Sequence, residues 1–248
     1  YGGSIQGHVA GGNSVHGSAN TNDVTVNGGS MGSVMGGASY SSGYGSDGNS
    51  VTVISGRVSD VYGGYSTDGT AGNNIVDIIG GEVYYSVLGG YTNNSTAAGN
   101  RVSVSGGTIG QMVYGGMSIN GDATGNSVTI SGGTVYGDIY GGYSIARNAT
   151  GNSVTISGSP NLVHAILYGG YTGGLIGDAV TGNTLNARSS GMTAKGVANF
   201  QKYNFYLPTT LANGGTMLTV TNAANISNAT IGVGINGPTT ALHPGDRV

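Results

Sequence analysis

The side chains able to do acid–base chemistry are few. The acids are Asp23, Asp47, Asp60, Asp68, Asp77, Glu82, Asp122, Asp138, Asp178 and Asp246. Glycoside hydrolysis needs two carboxyl groups held about 5–10 Å apart. A polysaccharide lyase would need Asp ligands for calcium and an Arg or Lys base. Asp60 and Asp138 hold matching places, ahead of Val61-Tyr62-Gly63-Gly64 and Ile139-Tyr140-Gly141-Gly142, but three repeats apart. Asp77 stands alone between Thr52 and Ser103 at equivalent positions, and Asp68 and Asp122 fall in variable stretches. No trio converges, and solvated loop acids are the expectation. His8, His16, His164 and His243 match no metal-ligand spacing. No Gly-x-Ser-x-Gly elbow sits in a helix-bearing pattern. Gly169-Gly170-Tyr171-Thr172-Gly173-Gly174 lacks both the Gly-Lys-Ser/Thr and the helix of a phosphate loop. No catalytic, cofactor-binding or metal-ligating residue is therefore assigned, and no cofactor or enzymatic activity is expected.

What must position these residues is a repeat. Gly125-Asn126-Ser127-Val128-Thr129-Ile130-Ser131-Gly132 returns as Gly151-Asn152-Ser153-Val154-Thr155-Ile156-Ser157-Gly158. Weaker copies place Asn22, Asn49, Asn74, Asn100 and Asn183 at the same point, in steps of 27, 25, 26, 26, 26 and 31 residues. A period in this range marks a solenoid. Val128 and Ile130 alternate with Thr129 and Ser131, the period of a strand with one buried face. Gly132-Gly133 reads as a corner, Val135 and Ile139 as a second apolar pair, Gly141-Gly142 as the next corner, and Ile145 to Thr150 as the closing polar turn. Leucine-rich and ankyrin repeats need helices, and a propeller blade is too long for this period.

The fold expected is all-β: a parallel, right-handed β-helix of about 25–27 residues per coil. Six or seven coils at roughly 4.8 Å each make a rod of about 30 Å. Stacking puts Asn22, Asn49, Asn74, Asn100, Asn126, Asn152 and Asn183 in one structural ladder of side-chain amides. Tyr65, Tyr91, Tyr143 and Tyr171 form a second column, broken by Met117. Thr25, Thr52, Ser103, Thr129 and Thr155 form a single outward row, interrupted by Asp77 and too narrow for ice binding.

Composition narrows the class. Glycine supplies 52 of 248 residues, yet apolar residues make up 37% and fall periodically, which argues for a packed fold over disorder. Charged residues are only 7%, so Ser, Thr and Asn must keep the chain hydrated. Seven Lys and Arg and a net charge of −3 leave no basic patch, which argues against nucleic acid as partner. No apolar run is long enough to cross a membrane, so no insertion by this segment is expected. The absence of Cys fits export through an oxidising periplasm, as it also fits the cytosol. Tyr1-Gly2-Gly3 matches Tyr62-Gly63-Gly64, which predicts a start in mid-unit, as a piece of a longer protein. Residues 1–189 are read as the coils. From 190 to 248 the repeat decays and bulky residues cluster, Phe200, Tyr203, Phe205, Tyr206 and Leu207 among them. Tyr203–Leu207, Met217–Val220 and Ile231–Ile235 read as strands of a β-rich cap over the last apolar layer, or a change of coil geometry.

Three sets of residues resemble a known family. They are Gly-Asn-Ser-Val-Thr-Ile-Ser-Gly, Val/Ile-Tyr-Gly-Gly-Tyr-Ser, and the tail Asn199-Phe200-Gln201-Lys202-Tyr203-Asn204-Phe205-Tyr206-Leu207-Pro208, Met217-Leu218-Thr219-Val220, Ala241-Leu242-His243-Pro244-Gly245-Asp246. All are similar to glycine-rich passenger regions of bacterial autotransporters. The resemblance implies a β-helix exported through an outer-membrane barrel and displayed extracellularly on the cell surface. It implies a non-enzymatic stalk or adhesin acting by attachment or self-association. Partners would be host or bacterial surface glycans or proteins, or a second copy. This sequence departs from that family in showing neither the barrel pattern nor an export signal, which leaves the secretion route open. The alternative expectation is a carbohydrate-binding or carbohydrate-cleaving β-helix, with Tyr65, Tyr91, Tyr143 and Tyr171 as sugar contacts if their column points outward.

Overall fold

Val128 and Ile130 are fully buried while Ser127 and Thr129 stay half-exposed, so the period-two pattern resolves into a strand, Ser127–Ile130. In the computed structural model, which describes residues 3–174, 176–238, 240–243 and 245–247, this strand lies between Arg101–Val104 and Ser153–Ile156. Both pairings are parallel and in register. Val76, Val102, Val128 and Val154 thus pile in one row, with Val51 below and Leu185 above. The described residues form parallel strands and no helix, stacked as a β-solenoid.

Each coil supplies a first strand of this kind, a short second one such as Thr134–Val135, and a third such as Ile139–Ser144. The third strands stack as a nine-stranded sheet from Val9–Ser14 to Leu218–Val220. Nine turns replace the six or seven expected, which lengthens the stack to about 40 Å at the strand spacing. The shortfall has a plain cause. The repeated Asn marks seven coils and Asn183 is the last of the ladder, while the stack goes on without it. Lys202–Pro208 pairs in parallel with Thr184–Ala187, and Thr230–Asn236 with Lys202–Pro208. The bulky tail therefore takes the form of further coils in the same register. Its outermost strand leaves Ile231, Val233 and Ile235 exposed, and Leu207, Leu211 and Met217 make a small core of their own.

Glycine plays two different parts in the coil. Gly133 does turn a corner, at φ +76°, where a side chain would be strained. Gly141-Gly142 does not: both lie inside the strand Ile139–Ser144, and neither has positive φ. They are small because the next layer of structure presses on them, as described below. The pairing proposed for Tyr1 and Gly2 and the motif position of Pro244 lie outside the described residues.

Candidate functional site

Two surfaces stand out, and an amide ladder sets the first of them in place. Asn100 donates from its backbone N–H and from Nδ2, each at 3.0 Å, to Oδ1 of Asn126. Its other Nδ2 hydrogen reaches the carbonyl of Ala71 at 2.8 Å. Asn126 repeats the scheme onto Asn152 and Ala97, and Asn152 onto Asn183 and Ala123. Asn22, Asn49 and Asn74 pass the same bonds upward from the first coils. Every Asn but Asn22 is buried, and no buried side-chain polar atom among the described residues lacks a partner. The amide lies flat against the Gly-Gly pair of the third strand. A Cβ on Gly116 would stand 2.6 Å from Asn126 Oδ1, and one on Gly64 2.5 Å from Asn74 Nδ2. Gly-Gly and Asn are thus one packing unit, written 10 residues apart in both cases.

With glycine at the centre of the third strand, the tyrosines on either side face outward. Tyr62, Tyr114, Tyr140 and Tyr168 share one register position, with Leu88 in the second coil of the series. Tyr65, Tyr91, Tyr143 and Tyr171 share the other, with Met117. Within columns the rings stack: Tyr65–Tyr91 at 5.2 Å and 14°, Tyr143–Tyr171 at 5.1 Å and 19°, Tyr140–Tyr168 at 4.9 Å and 7°. Between columns they meet edge to face, as Tyr140–Tyr143 do at 5.3 Å and 88°. The column does point outward, yet its ring faces are spent on each other. What Tyr65, Tyr91, Tyr143 and Tyr171 offer solvent is ring edges and hydroxyls. Burial, and then nearby Asp60, push the Tyr62 hydroxyl up to about 12. Burial, then Tyr143 and Asp138, do the same for Tyr114. These phenols remain neutral donors throughout the physiological range.

The acids are dispersed and engaged in structure. Asp60 and Asp138 do share a register position three coils apart. Each receives a backbone N–H from the following coil, Asp60 from Ser86 at 3.2 Å and Asp138 from Ile166 at 2.9 Å. Burial, more than anything else, raises the Asp60 carboxyl above its usual range. Asp47 accepts from Gly72 and Thr70, and Asp122 from Asn148. Hydrogen bonds from Thr181 and Val180 hold the Asp178 carboxyl low. No three His, Asp or Glu side chains gather among the described residues.

The second surface escaped the sequence reading. It lies at the short second strands, where Glu82-Val83, Thr108-Ile109 and Thr134-Val135 stack in register. The residue after each is Tyr84, Gly110 and Tyr136, so two exposed rings flank a coil that has none. Tyr84 meets Tyr85 edge to face at 4.7 Å, and the Arg57 guanidinium lies 5.2 Å from the Tyr84 ring centre. Arg57 also pairs with Glu82 at 3.2 Å. On the far side Tyr136 stacks on His164 at 5.8 Å and 21°. A groove of about 310 Å³ lies over Gly110, and a second of about 330 Å³ lies on the other side of Tyr84 and Tyr85. The signal was present in the repeat: Gly80-Gly81-Glu82-Val83-Tyr84, Gly106-Gly107-Thr108-Ile109-Gly110 and Gly132-Gly133-Thr134-Val135-Tyr136 align letter by letter.

No family model matches the sequence, and no curated protein or solved structure matches it.

Proposed function

We propose that this chain is a non-enzymatic, extracellular β-helical rod of a bacterial cell surface, a stalk or adhesin segment of the autotransporter-passenger kind, working by attachment or self-association. The observation that carries this reading is the double tyrosine column on an uninterrupted parallel stack. It makes a long, stiff, nearly uncharged surface of phenol edges and hydroxyls, suited to broad shallow contact rather than to turnover. The half-exposed row Thr52, Ser103, Thr129 and Thr155 adds hydroxyls along the first strands, and little charge repels a second rod. The glycine-rich repeats and the aromatic tail supply the resemblance to passenger regions.

The test displays the chain on a non-adherent bacterium and measures sedimentation of the cells and their retention on glycan-coated and protein-coated beads. Clumping or retention that weakens when Tyr65, Tyr91, Tyr143 and Tyr171 are replaced by Ser supports the reading. A strict monomer in ultracentrifugation, joined to a display strain no stickier than its parent, removes it. Release of reducing sugar from polysaccharide would turn the assignment to an enzyme.

A further inference from the structure

The groove over Gly110 interrupts a column of planar groups. From one end the order is the Arg57 guanidinium, the Tyr84 ring, a gap, the Tyr136 ring and the His164 imidazole. Tyr84 and Tyr136 hold equivalent places two coils apart, which sets their backbones about 9.6 Å from each other at the strand spacing. One ring held at van der Waals contact between two others needs roughly 7–8 Å. The surplus of about 2 Å is more than a flat ring fills and suits the thicker chair of a saturated sugar. Gly110 leaves the floor of the gap without a side chain, and a Cβ there would stand 2.2 Å from the Tyr84 carbonyl oxygen. Each wall has a stacking partner on its far side, Tyr84 on Arg57 and Tyr136 on His164, a contact it would give up by moving into the gap.

We propose that this slot binds one pyranose of a neutral or N-acetylated glycan, its two C–H faces against Tyr84 and Tyr136. The rim fits that ligand. Glu82, Thr108 and Gln111 line the groove and offer a carboxylate, a hydroxyl and an amide to ring hydroxyls. Arg57, the guanidinium beside it, is already paired with Glu82, which favours an uncharged ligand. The second groove, beyond Tyr84 and Tyr85, receives the next sugar, and the glycan runs along the rod axis. The inference deepens the attachment half of the reading above by naming a ligand class, and it rests on a different face from the tyrosine columns.

The experiment uses the isolated chain. A printed array of neutral and N-acetylated oligosaccharides selects a probe, and soluble cello-, chito- and xylo-oligosaccharides are titrated with tyrosine fluorescence as the readout, the chain having no Trp. Tyr84→Ala and Tyr136→Ala are each expected to weaken binding roughly threefold to tenfold. Tyr136→Phe should hold it within about twofold, and Tyr44→Ala, an exposed ring outside both the slot and the tyrosine columns, should leave it unchanged. Both rings are half exposed, so these variants keep the fold, which thermal unfolding checks directly. Silence across the array overturns the proposal, as does binding indifferent to Tyr84→Ala and Tyr136→Ala. Binding of adenosine where no glycan binds overturns it too, because a flat ring would then be the true occupant. A rod that binds no sugar but still clumps cells loses only the slot. One that binds sugar without clumping or retention loses only the stalk.

Discussion

At the scale of single residues, the side-chain amide of Asn126 does the work of several backbone groups. Its oxygen takes two donors of Asn100 and its nitrogen serves Ala97 and Asn152. Asn126→Ala leaves the buried backbone N–H and an Nδ2 hydrogen of Asn100 without their acceptor, and should cost about 3 kcal/mol in urea unfolding. Gly116→Ala should cost a similar amount for a different reason, since all three nearest atoms to its added Cβ belong to the Asn126 side chain. Combining the two removes the clash along with its cause. The double variant should therefore lose clearly less than the two single losses added together, and strict additivity would show that the amide does not pack on the glycine. A smaller gain is available one residue before the ladder. Gly48, Gly99, Gly125 and Gly151 all take φ near +65° there, and Thr21 is forced to +56° at the same place. A β-branched residue is strained in that region, so Thr21→Gly should raise stability by about 1 kcal/mol and lift the melting temperature.

At the scale of elements, the strands were legible because each carries its own pattern. Val102/Val104 and Val128/Ile130 alternate with hydroxyls, and the repeated Asn aligned one coil with the next. Two things were hidden by the same dependence on that Asn. Coils beyond Asn183 lack it, with Gln201 at the equivalent place, so the repeat alone does not tell a further coil from a cap. The Gly-Gly of Val61-Tyr62-Gly63-Gly64-Tyr65 reads as a corner because glycine has two uses, positive φ and close approach, and the sequence does not say which. Only the neighbouring coil's Asn74, 2.5 Å from a Cβ on Gly64, separates them. The tyrosine columns that result make stability depend on pH at the alkaline end. The Tyr62 and Tyr114 hydroxyls have an ordinary value of 10.0 and are raised to about 12 by burial in the fold. The unfolded chain thus releases these protons first. Stability should be intact below pH ~10 and erode steadily as the pH rises toward about 12. Circular dichroism followed against phenolate absorbance checks this. Tyr62→Phe with Tyr114→Phe should flatten the decline, and an unchanged slope would mean that the columns are open to solvent.

At the scale of the whole molecule, the coil is the unit of stability. Each one contacts only the coils above and below it, so the rod behaves as a sum of units and interfaces. Asn126 and Asn152 are register partners 26 residues apart, and the Gly before each has nearly the same φ, +64° at Gly125 and +67° at Gly151. Deleting residues 126–151 therefore joins Gly125 to Asn152 with the backbone already in the right conformation. Val154 and Ile156 then cover Val102 and Val104 in place of Val128 and Ile130, and Tyr168 meets Tyr114. The shortened chain should fold, keep its strand signal, lose about 4.8 Å of length in small-angle scattering and unfold in a single transition. Deleting only 126–138 removes the first two strands of a coil and leaves the third strand without its own, so that chain should lose ordered structure or aggregate. Equal behaviour of the two deletions would deny that the coil is the unit. The full-coil deletion also takes away Tyr136, one wall of the slot over Gly110. A folded rod that no longer binds the oligosaccharide probe would separate what the stack needs to stand from what one of its faces needs to recognise a ligand.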